Sequence, residues 1–304
     1  MRSRMTKIAR IEPDLRVIRA PNPSPLTGEG TNTYIIGHED LCVIDPGPDD
    51  PQHLAAIRGA LAQGGVLRAI LVTHAHLDHS PLSRALARET GAPVVAFGDH
   101  LAGRSAHMTA LAATGMAGGG EGMDTDFRPD QIMQDGDTLT LGSEQITAIW
   151  TPGHFGNHLC FAWRGAVFSG DHVMGWATTL VSPPDGYLSA YMTSLDKLDA
   201  ARARVLYPGH GAPVTDPAAR ISYLRQHRLQ RESEILDCLL VRDCAVAEIV
   251  QQVYHDIPVT LHRAAARNVF AHLIDLVSRG VVEALPELGQ EAIFRHIQRG
   301  WEIP

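Results

Sequence analysis

Short apolar runs separated by polar turns dominate the first two thirds of the chain. Runs of this length, bounded by Gly, Pro, Asn or Asp, are typical of buried strands. They occur at 31–37, 41–47, 69–72, 93–97, 138–141, 145–150, 158–163 and 166–169, and a further run starts at 205. The four runs between 138 and 169 follow one another closely, which predicts an antiparallel meander.

Helical spacing alternates with the first strands and then takes over. Asp50 and Pro51 provide an N-cap and a first-turn proline for a helix that ends before Gly64, and a second helix is predicted over 82–89. After Pro217 the pattern is helical to about 240, again over 245–250 and 261–279, and a short strand follows at 280–284. The change predicts two units, a domain of residues 1–216 and a helical module of residues 217–304.

One long stretch, from Gly98 to Asp130, shows little regularity and contains three consecutive glycines at 118–120. Irregular stretches of this length in compact domains are usually functional loops or mobile insertions. We expect residues 98–130 to form a lid over a functional site, with a mobile insertion as the alternative.

Composition limits the classes of protein that fit. The 304 residues carry a formal net charge of -8, which argues against binding of polyanions by the whole surface. No apolar stretch approaches the roughly 20 residues of a membrane span, and no apolar segment of a signal peptide follows the basic N-terminus. The four cysteines show no C-x-x-C spacing. We therefore predict a cytoplasmic protein with no membrane partner.

The strongest chemical signal is the segment Thr73 to Ser80, which contains four potential metal ligands within six residues. His74 and His76 leave a buried strand on the same side, because side chains alternate along an extended chain. Asp78 and His79 fall in the turn before the next helix, where they can address a second ion. Imidazole and carboxylate ligands suit zinc, manganese or iron.

Three single ligands follow at the ends of later strands: His154, Asp171 and His210, each next to a glycine. We expect these strand ends to meet at one rim. Three further polar residues flank the ligands: Asp45, His158 and His172. Asp45 is interpreted either as a turn residue or as a carboxylate that holds a ligand loop, and the two histidines as hydrogen-bonding neighbours rather than ligands.

His-x-His-x-Asp-His followed by an isolated His, Asp and His resembles the metallo-β-lactamase superfamily. The resemblance implies a four-layer αββα sandwich of the α+β class, with a dinuclear site at the sheet edges. One ion would take His74, His76 and His154. The second ion would take Asp78, His79 and His210, with Asp171 bridging the two, and Asp45 would have the role of holding a ligand.

The segment Tyr207 to Gly211, together with Ile221, Tyr223, His227 and Arg228, is similar to the β-lactamase-like protein 2 subgroup, which includes endoribonucleases acting on single-stranded RNA. The end of the chain resembles a winged-helix module. Residues 217–304 hold 10 Arg against 11 Asp and Glu, so their formal charge is -1. That balance does not favour nucleic acid, and we expect a module that packs on the catalytic domain or forms a homodimer contact.

The resulting expectation is a hydrolase with two divalent ions, most simply Zn2+ with Mn2+ or Fe2+ as substitutes, which would activate a water that attacks an ester, thioester, lactone or phosphodiester. Asp78 and Asp171 would be the catalytic residues that orient the nucleophile. A small or medium-sized substrate is favoured over single-stranded RNA. Two competing hypotheses are a mononuclear iron enzyme like persulfide dioxygenases, and a nucleic-acid-binding regulator with a vestigial catalytic domain.

Overall fold

The computed structural model describes residues 8–116 and 122–297. The basic N-terminal stretch 1–7, the glycines at 118–120 and the last residues 298–304 lie outside these ranges. Within them the chain forms two large sheets, one small sheet and helices that pack on their outer faces. None of the helices in the described ranges has both the length and the apolar character needed to span a bilayer. A cytoplasmic location and a homodimer contact stay predictions from the sequence.

The first sheet has seven strands in sequence order. They are β1 Ile8–Glu12, β2 Leu15–Arg19, β3 Asn32–Gly37, β4 Asp40–Ile44, β5 Val66–Leu71, β6 Val94–Ala96 and β7 Gln131–Ile132. The strands β1 to β4 are antiparallel, and β4 to β7 are parallel. Two helices follow parallel strands, α1 Pro51–Leu61 and α2 Leu82–Thr90. Asp50 caps α1 by accepting a hydrogen bond from the backbone of His53, as its sequence predicts.

The second sheet has five strands in the order β12-β11-β10-β9-β8. They are β8 Thr138–Leu141, β9 Glu144–Trp150, β10 Leu159–Trp163, β11 Ala166–Gly170 and β12 Val205–Pro208. The pairs from β8 to β11 are antiparallel, so the predicted meander is confirmed, and β12 is added in parallel to β11. Helix α4 Leu188–Ala200 connects β11 to β12.

The two sheets face each other across one apolar core, to which Ile44 and Leu71 contribute from the first sheet and Phe161 and Phe168 from the second. Helices α1 and α2 cover the outer face of the first sheet. Helix α4 and a long helix, α5 Pro217–Val241, cover the outer face of the second. The expected αββα sandwich is therefore confirmed.

Beyond the sandwich, α5 continues into a second core. This core contains α6 Val246–Val253, a 3-10 helix Val259–Leu261, α7 His262–Ser278 and a sheet of β13 Cys244–Ala245, β14 Val282–Leu285 and β15 Ile293–His296. The predicted helices and strand of this module are thus confirmed, whereas the division at residue 216 stays a prediction. Residues 106–113, in the stretch expected to be irregular, form a helix, α3 Ala106–Ala113. Its Met108 and Leu111 pack into the second core.

Candidate metal centre

Strand β5 ends at Leu71, and the loop that follows carries four of the predicted ligands. The loop turns back after His76, because the backbone N–H groups of His79 and Ser80 both donate to the carbonyl of His76. His74 and His76 therefore stand before this turn, and Asp78 and His79 stand within it. All four side chains are buried.

The structure brings all seven predicted ligands together in two adjacent groups, His74, His76, His154 and Asp171, and Asp78, His79 and His210. In the first group His74 Nε2 lies 2.8 Å from His76 Nδ1, which lies 3.2 Å from His154 Nε2. Asp171 is close to both groups. Its Oδ2 lies 3.8 Å from His154 Nε2 and 3.2 Å from His210 Nε2.

In the second group one carboxylate oxygen joins the two histidines. Asp78 Oδ2 lies 3.3 Å from His79 Nε2 and 3.2 Å from His210 Nε2. It also accepts a hydrogen bond from the Thr31 hydroxyl at 3.0 Å. Ligand atoms around a tetrahedral zinc lie about 3.3 Å apart, because Zn–N bonds are about 2.0 to 2.1 Å long. The spacing in both groups therefore fits a bound transition metal.

The tautomers of the histidines fit as well. In four of them the Nδ1 atom lies within hydrogen-bond distance of an oxygen outside the two ligand groups. His74 Nδ1 lies 3.0 Å from Thr73 Oγ1, and His79 Nδ1 lies 2.9 Å from Asp45 Oδ2. His154 Nδ1 lies 2.7 Å from the Leu180 carbonyl, and His210 Nδ1 lies 3.3 Å from the Gly30 carbonyl. A ring nitrogen that donates outward leaves the second nitrogen with its lone pair facing inward, as metal ligation requires. Asp78 Oδ1 is buried with no hydrogen-bond partner among the described residues, and Asp171 Oδ1 is also buried and lies 3.4 Å from His79 Nε2, so both oxygens are placed to contact a cation.

Asp45 holds this loop through both carboxylate oxygens. It accepts hydrogen bonds from the Thr73 backbone at 2.7 Å and the Thr73 hydroxyl at 2.8 Å, and it contacts His79 at 2.9 Å. Its backbone has a φ of 51°, a left-handed conformation that Asp tolerates better than most residues. These contacts are those of a carboxylate that orients a ligand rather than those of a turn residue alone.

Two glycines are required by close approach. A Cβ on Gly209 would lie 2.4 Å from Asp171 Oδ1 and 2.6 Å from the ring of His79. A Cβ on Gly170 would lie 2.6 Å from His158 Nε2, and the φ of Gly170 is 47°. The glycines beside the ligands therefore make room for the cluster, in addition to letting the backbone turn.

Charge within the cluster is uneven. Burial lowers the pKa of His76 to about 3, and burial together with the neighbouring histidines holds the pKa of His74 well below its ordinary value. Burial also opposes a charge on His79 and His210, but the surrounding carboxylates outweigh it. Asp78, Asp171 and Asp45 raise the pKa of His79, and Asp171 and Asp78 raise the pKa of His210 to about 10. The side of the cluster that contains the carboxylates thus stabilises positive charge, either on these histidines or on a bound cation.

His158 and His172 lie next to the cluster but outside both ligand groups. His158 Nδ1 lies 2.9 Å from the Thr151 hydroxyl, and its Nε2 accepts a hydrogen bond from the backbone of Asp171 at 3.3 Å. His172 packs against the ring of Tyr191 at 4.6 Å between centroids, and burial lowers its pKa to about 3. His158 makes the hydrogen bonds expected of a neighbour of the ligands, whereas His172 is held by ring packing, and the roles of both residues stay predictions.

A segment that the sequence did not single out, residues 174–181, connects the cluster to the C-terminal helices. The Thr179 hydroxyl donates to the Asp171 carbonyl at 2.8 Å, and the next residue provides the carbonyl that holds His154. On its opposite side the buried Arg228 of α5 donates to the Thr179 carbonyl and, at 3.0 Å, to Asn268 of α7. We call residues 174–181 the strap. Backbone carbonyls provide most of its contacts, and these cannot be predicted from the sequence because every residue type has a backbone carbonyl.

The cluster opens into a cavity of about 330 Å3. His76, Asp78, His154, Asp171 and His210 form its floor, and apolar side chains such as Met174, Trp176, Leu180, Ile257 and Leu261 form most of its wall. Arg231 is the one Lys or Arg among the lining residues that the structure describes. Its guanidinium already donates to Glu234 at 2.6 Å and to the Val253 carbonyl at 2.8 Å. None of the described residues between 98 and 130 contributes to this lining, and the role of that stretch as a lid stays a prediction.

Comparison with known proteins gives two family matches. Residues 26–210 match the model described as Metallo-beta-lactamase superfamily, and residues 245–290 match the one described as Beta-lactamase associated winged helix domain. A Beta-lactamase-like protein 2 homolog of Drosophila melanogaster is 30% identical over 277 residues, 89% of this chain and 90% of that protein. An Atrochrysone carboxyl ACP thioesterase of Aspergillus chevalieri is 28% identical over 85% of this chain and 79% of that protein.

A solved structure of a metallo-beta-lactamase family protein from Thermus thermophilus is similar in fold, with a TM-score of 0.75 and 24% sequence identity. It covers 94% of this chain, and this chain covers all of it. The likeness therefore extends over the sandwich and the C-terminal module together.

Proposed function

This chain belongs to the metallo-beta-lactamase superfamily and carries a C-terminal winged-helix domain, and we propose that it is a metal-dependent hydrolase of small or medium-sized acyl esters and thioesters. His74, His76, His154 and Asp171 would hold one divalent ion, and Asp78, His79, His210 and Asp171 the second. We propose zinc as the metal. When bound, two such metal ions lower the pKa of a coordinated water to near 7 and polarise a carbonyl oxygen.

The side chains of the protein orient the metal ligands and the attacking water. Asp45 and Thr73 fix the ring orientation of two ligands, and the outward hydrogen bonds of the histidines fix their tautomers. Asp78 and Asp171 would orient the attacking water, since both carboxylates are buried among the ligand histidines. The apolar wall keeps bulk water away, which strengthens every electrostatic interaction on the floor.

The observation that carries the acyl assignment is the wall of the cavity. Single-stranded RNA needs unpaired cations for its phosphates. The one arginine of the lining is engaged by Glu234, and the lining also contains the carboxylate of Asp256. An apolar acyl group, by contrast, would bury its surface against the apolar side chains of this wall, which is favourable. The thioesterase name of one relative supports the same class of substrate.

The test is an assay of esters, thioesters, lactones and labelled single-stranded RNA at two ionic strengths, with His74→Ala as the inactive reference. We expect hydrolysis of an ester or thioester that changes little with salt and disappears in His74→Ala. The contrary result is cleavage of RNA that is lost in His74→Ala, together with an RNA affinity that falls as salt rises. A slope of about -0.7 per phosphate contact, in a plot of log affinity against log salt concentration, would identify the protein as an endoribonuclease instead.

A further inference from the structure

Part of the cavity wall comes from the winged-helix domain rather than from the sandwich. Tyr254 follows α6, Ile257 precedes the 3-10 helix, Leu261 ends that helix, and Ala264 lies in the first turn of α7. The neighbouring Ala265 belongs to the core of the domain and is 2% exposed, whereas Ala264 is only half-buried. The start of α7 thus presents a small side chain to the cavity from a well-anchored helix.

This wall is tied to the metal centre by a continuous set of contacts. Asn268, one turn further along α7, lines the same cavity and accepts hydrogen bonds from Arg228 and from the backbone of Val181 at the end of the strap. The strap in turn holds His154 and Asp171. The distance between the ligand cluster and the start of α7 is therefore fixed by hydrogen bonds and does not depend on apolar packing alone.

We propose that Ile257, Leu261 and the start of α7 form the acyl-chain site of the enzyme, and that Ala264 sets the length of chain that fits. This inference rests on the proposed acyl hydrolase. The cavity volume of about 330 Å3 lies within the range of about 300 to 1,000 Å3 that is typical of small-molecule sites. An octanoyl group fits within that space when its carbonyl lies at the metal floor. The ligand class is a medium-length, uncharged acyl chain.

The experiment compares the kcat/KM values of acetyl and octanoyl thioesters of N-acetylcysteamine. Each buried methylene contributes about fourfold to binding, so six extra methylenes should favour octanoyl at least about 100-fold in the wild type. Ala264→Phe fills the space and should lower this ratio below about 10. Val259→Phe, in the adjacent 3-10 helix at a position that is 78% exposed and outside the lining, should keep it. An unchanged ratio in Ala264→Phe overturns the acyl-chain site and leaves the acyl hydrolase standing.

A binding measurement separates the two proposals if neither thioester is cleaved. The probe is 2-nonanone, which carries the octanoyl group on a methyl that cannot leave, titrated into metal-loaded protein by calorimetry. The acyl-chain site predicts binding to the wild type and to Val259→Phe, and at least tenfold weaker binding to Ala264→Phe. Absence of binding to the wild type, or equal binding to Ala264→Phe, contradicts the site whatever the outcome of the thioester assay.

Discussion

Asp171 lies close to ligand histidines of both groups, with its carboxylate 3.8 Å from His154 Nε2 and 3.2 Å from His210 Nε2. Replacing it with Ala should lower hydrolysis at least about 100-fold and reduce the metal content per chain. The strands that build the core do not depend on this carboxylate, so circular dichroism should stay unchanged. Asp196→Ala, which removes an exposed carboxylate, is the control. Activity within a few-fold of the wild type would remove Asp171 from the site.

Asp45 offers a milder substitution. Asn also tolerates the left-handed backbone found there, at a φ of 51°, so Asp45→Asn should keep the turn. It replaces one acceptor oxygen by a donor, and the hydrogen bonds to Thr73 and His79 cannot all survive. Loss of such an outer contact typically weakens metal binding 10- to 100-fold. Competition with a chromophoric chelator measures this, and an unchanged affinity would reduce Asp45 to a turn residue.

At the scale of single residues the ligands could be predicted from the sequence, because only a few side-chain types bind transition metals. The motif from His74 to His79 and the three strand-end residues are all found in the two groups. Asp45 was ambiguous because an aspartate before Pro-Gly is also an ordinary turn residue. The strap was not predicted, since Thr179 and Leu180 contribute through a hydroxyl and a carbonyl that many residue types can provide.

At the scale of elements, α5 ties the C-terminal module to the metal centre. Arg228 is 3% exposed and donates to the carbonyl of Thr179 and to Asn268. Arg228→Met should leave the buried carbonyl of Thr179 without this donor and remove one of the two hydrogen bonds that Asn268 accepts, at a cost of about 1 to 3 kcal/mol in the free energy of unfolding. It should also loosen the strap, so that metal affinity and kcat both fall.

The matched control is Arg225→Met, which removes a partly exposed arginine from the same helix. Arg225 pairs with Asp196 on the surface, and such pairs contribute little. Urea unfolding, chelator competition and kcat should therefore distinguish the two variants. If Arg228→Met loses stability but keeps the metal affinity and kcat of the wild type, Arg228 has a structural role only.

Most elements followed from periodicity, and the exceptions have physical reasons. The strands β1 and β2 mix apolar and charged residues without strict alternation on the two sides of the turn at Pro13. Runs this short and this rich in charged residues do not distinguish two strands of a sheet from a charged surface segment. Helix α3 consists largely of small residues without a clear apolar stripe. Its packing through Met108 and Leu111 against the C-terminal core stabilises it, and this tertiary contact is not visible in the local sequence.

For the whole molecule, buried neutral histidines make stability depend on pH. Burial lowers the pKa of His53 to about 4 from its ordinary value of 6.5, and its Nε2 contacts the Thr33 hydroxyl at 2.7 Å. Between these values the unfolded chain binds a proton that the folded chain does not, so stability falls as the pH drops below about 6.5. The slope approaches about 1.4 kcal/mol per pH unit for one such group.

His53→Gln removes this contribution. In chelator-treated protein, the free energy of unfolding in urea should therefore fall less steeply for the variant than for the wild type between about pH 6.5 and pH 4.5. Comparing the two proteins isolates His53 from the remaining titrating groups. Parallel pH profiles would show that folding does not lower the pKa of His53.

We propose that hydrolysis at this site depends on two metal ions acting together on an acyl bond. The most direct test is to titrate zinc into metal-free protein while following both bound metal and hydrolysis of the octanoyl thioester. We predict that activity is absent without metal and saturates at two ions per chain. Saturation at one ion, or purified protein that holds a single iron and hydrolyses no ester or thioester, would contradict the dinuclear hydrolase and favour the mononuclear iron enzyme.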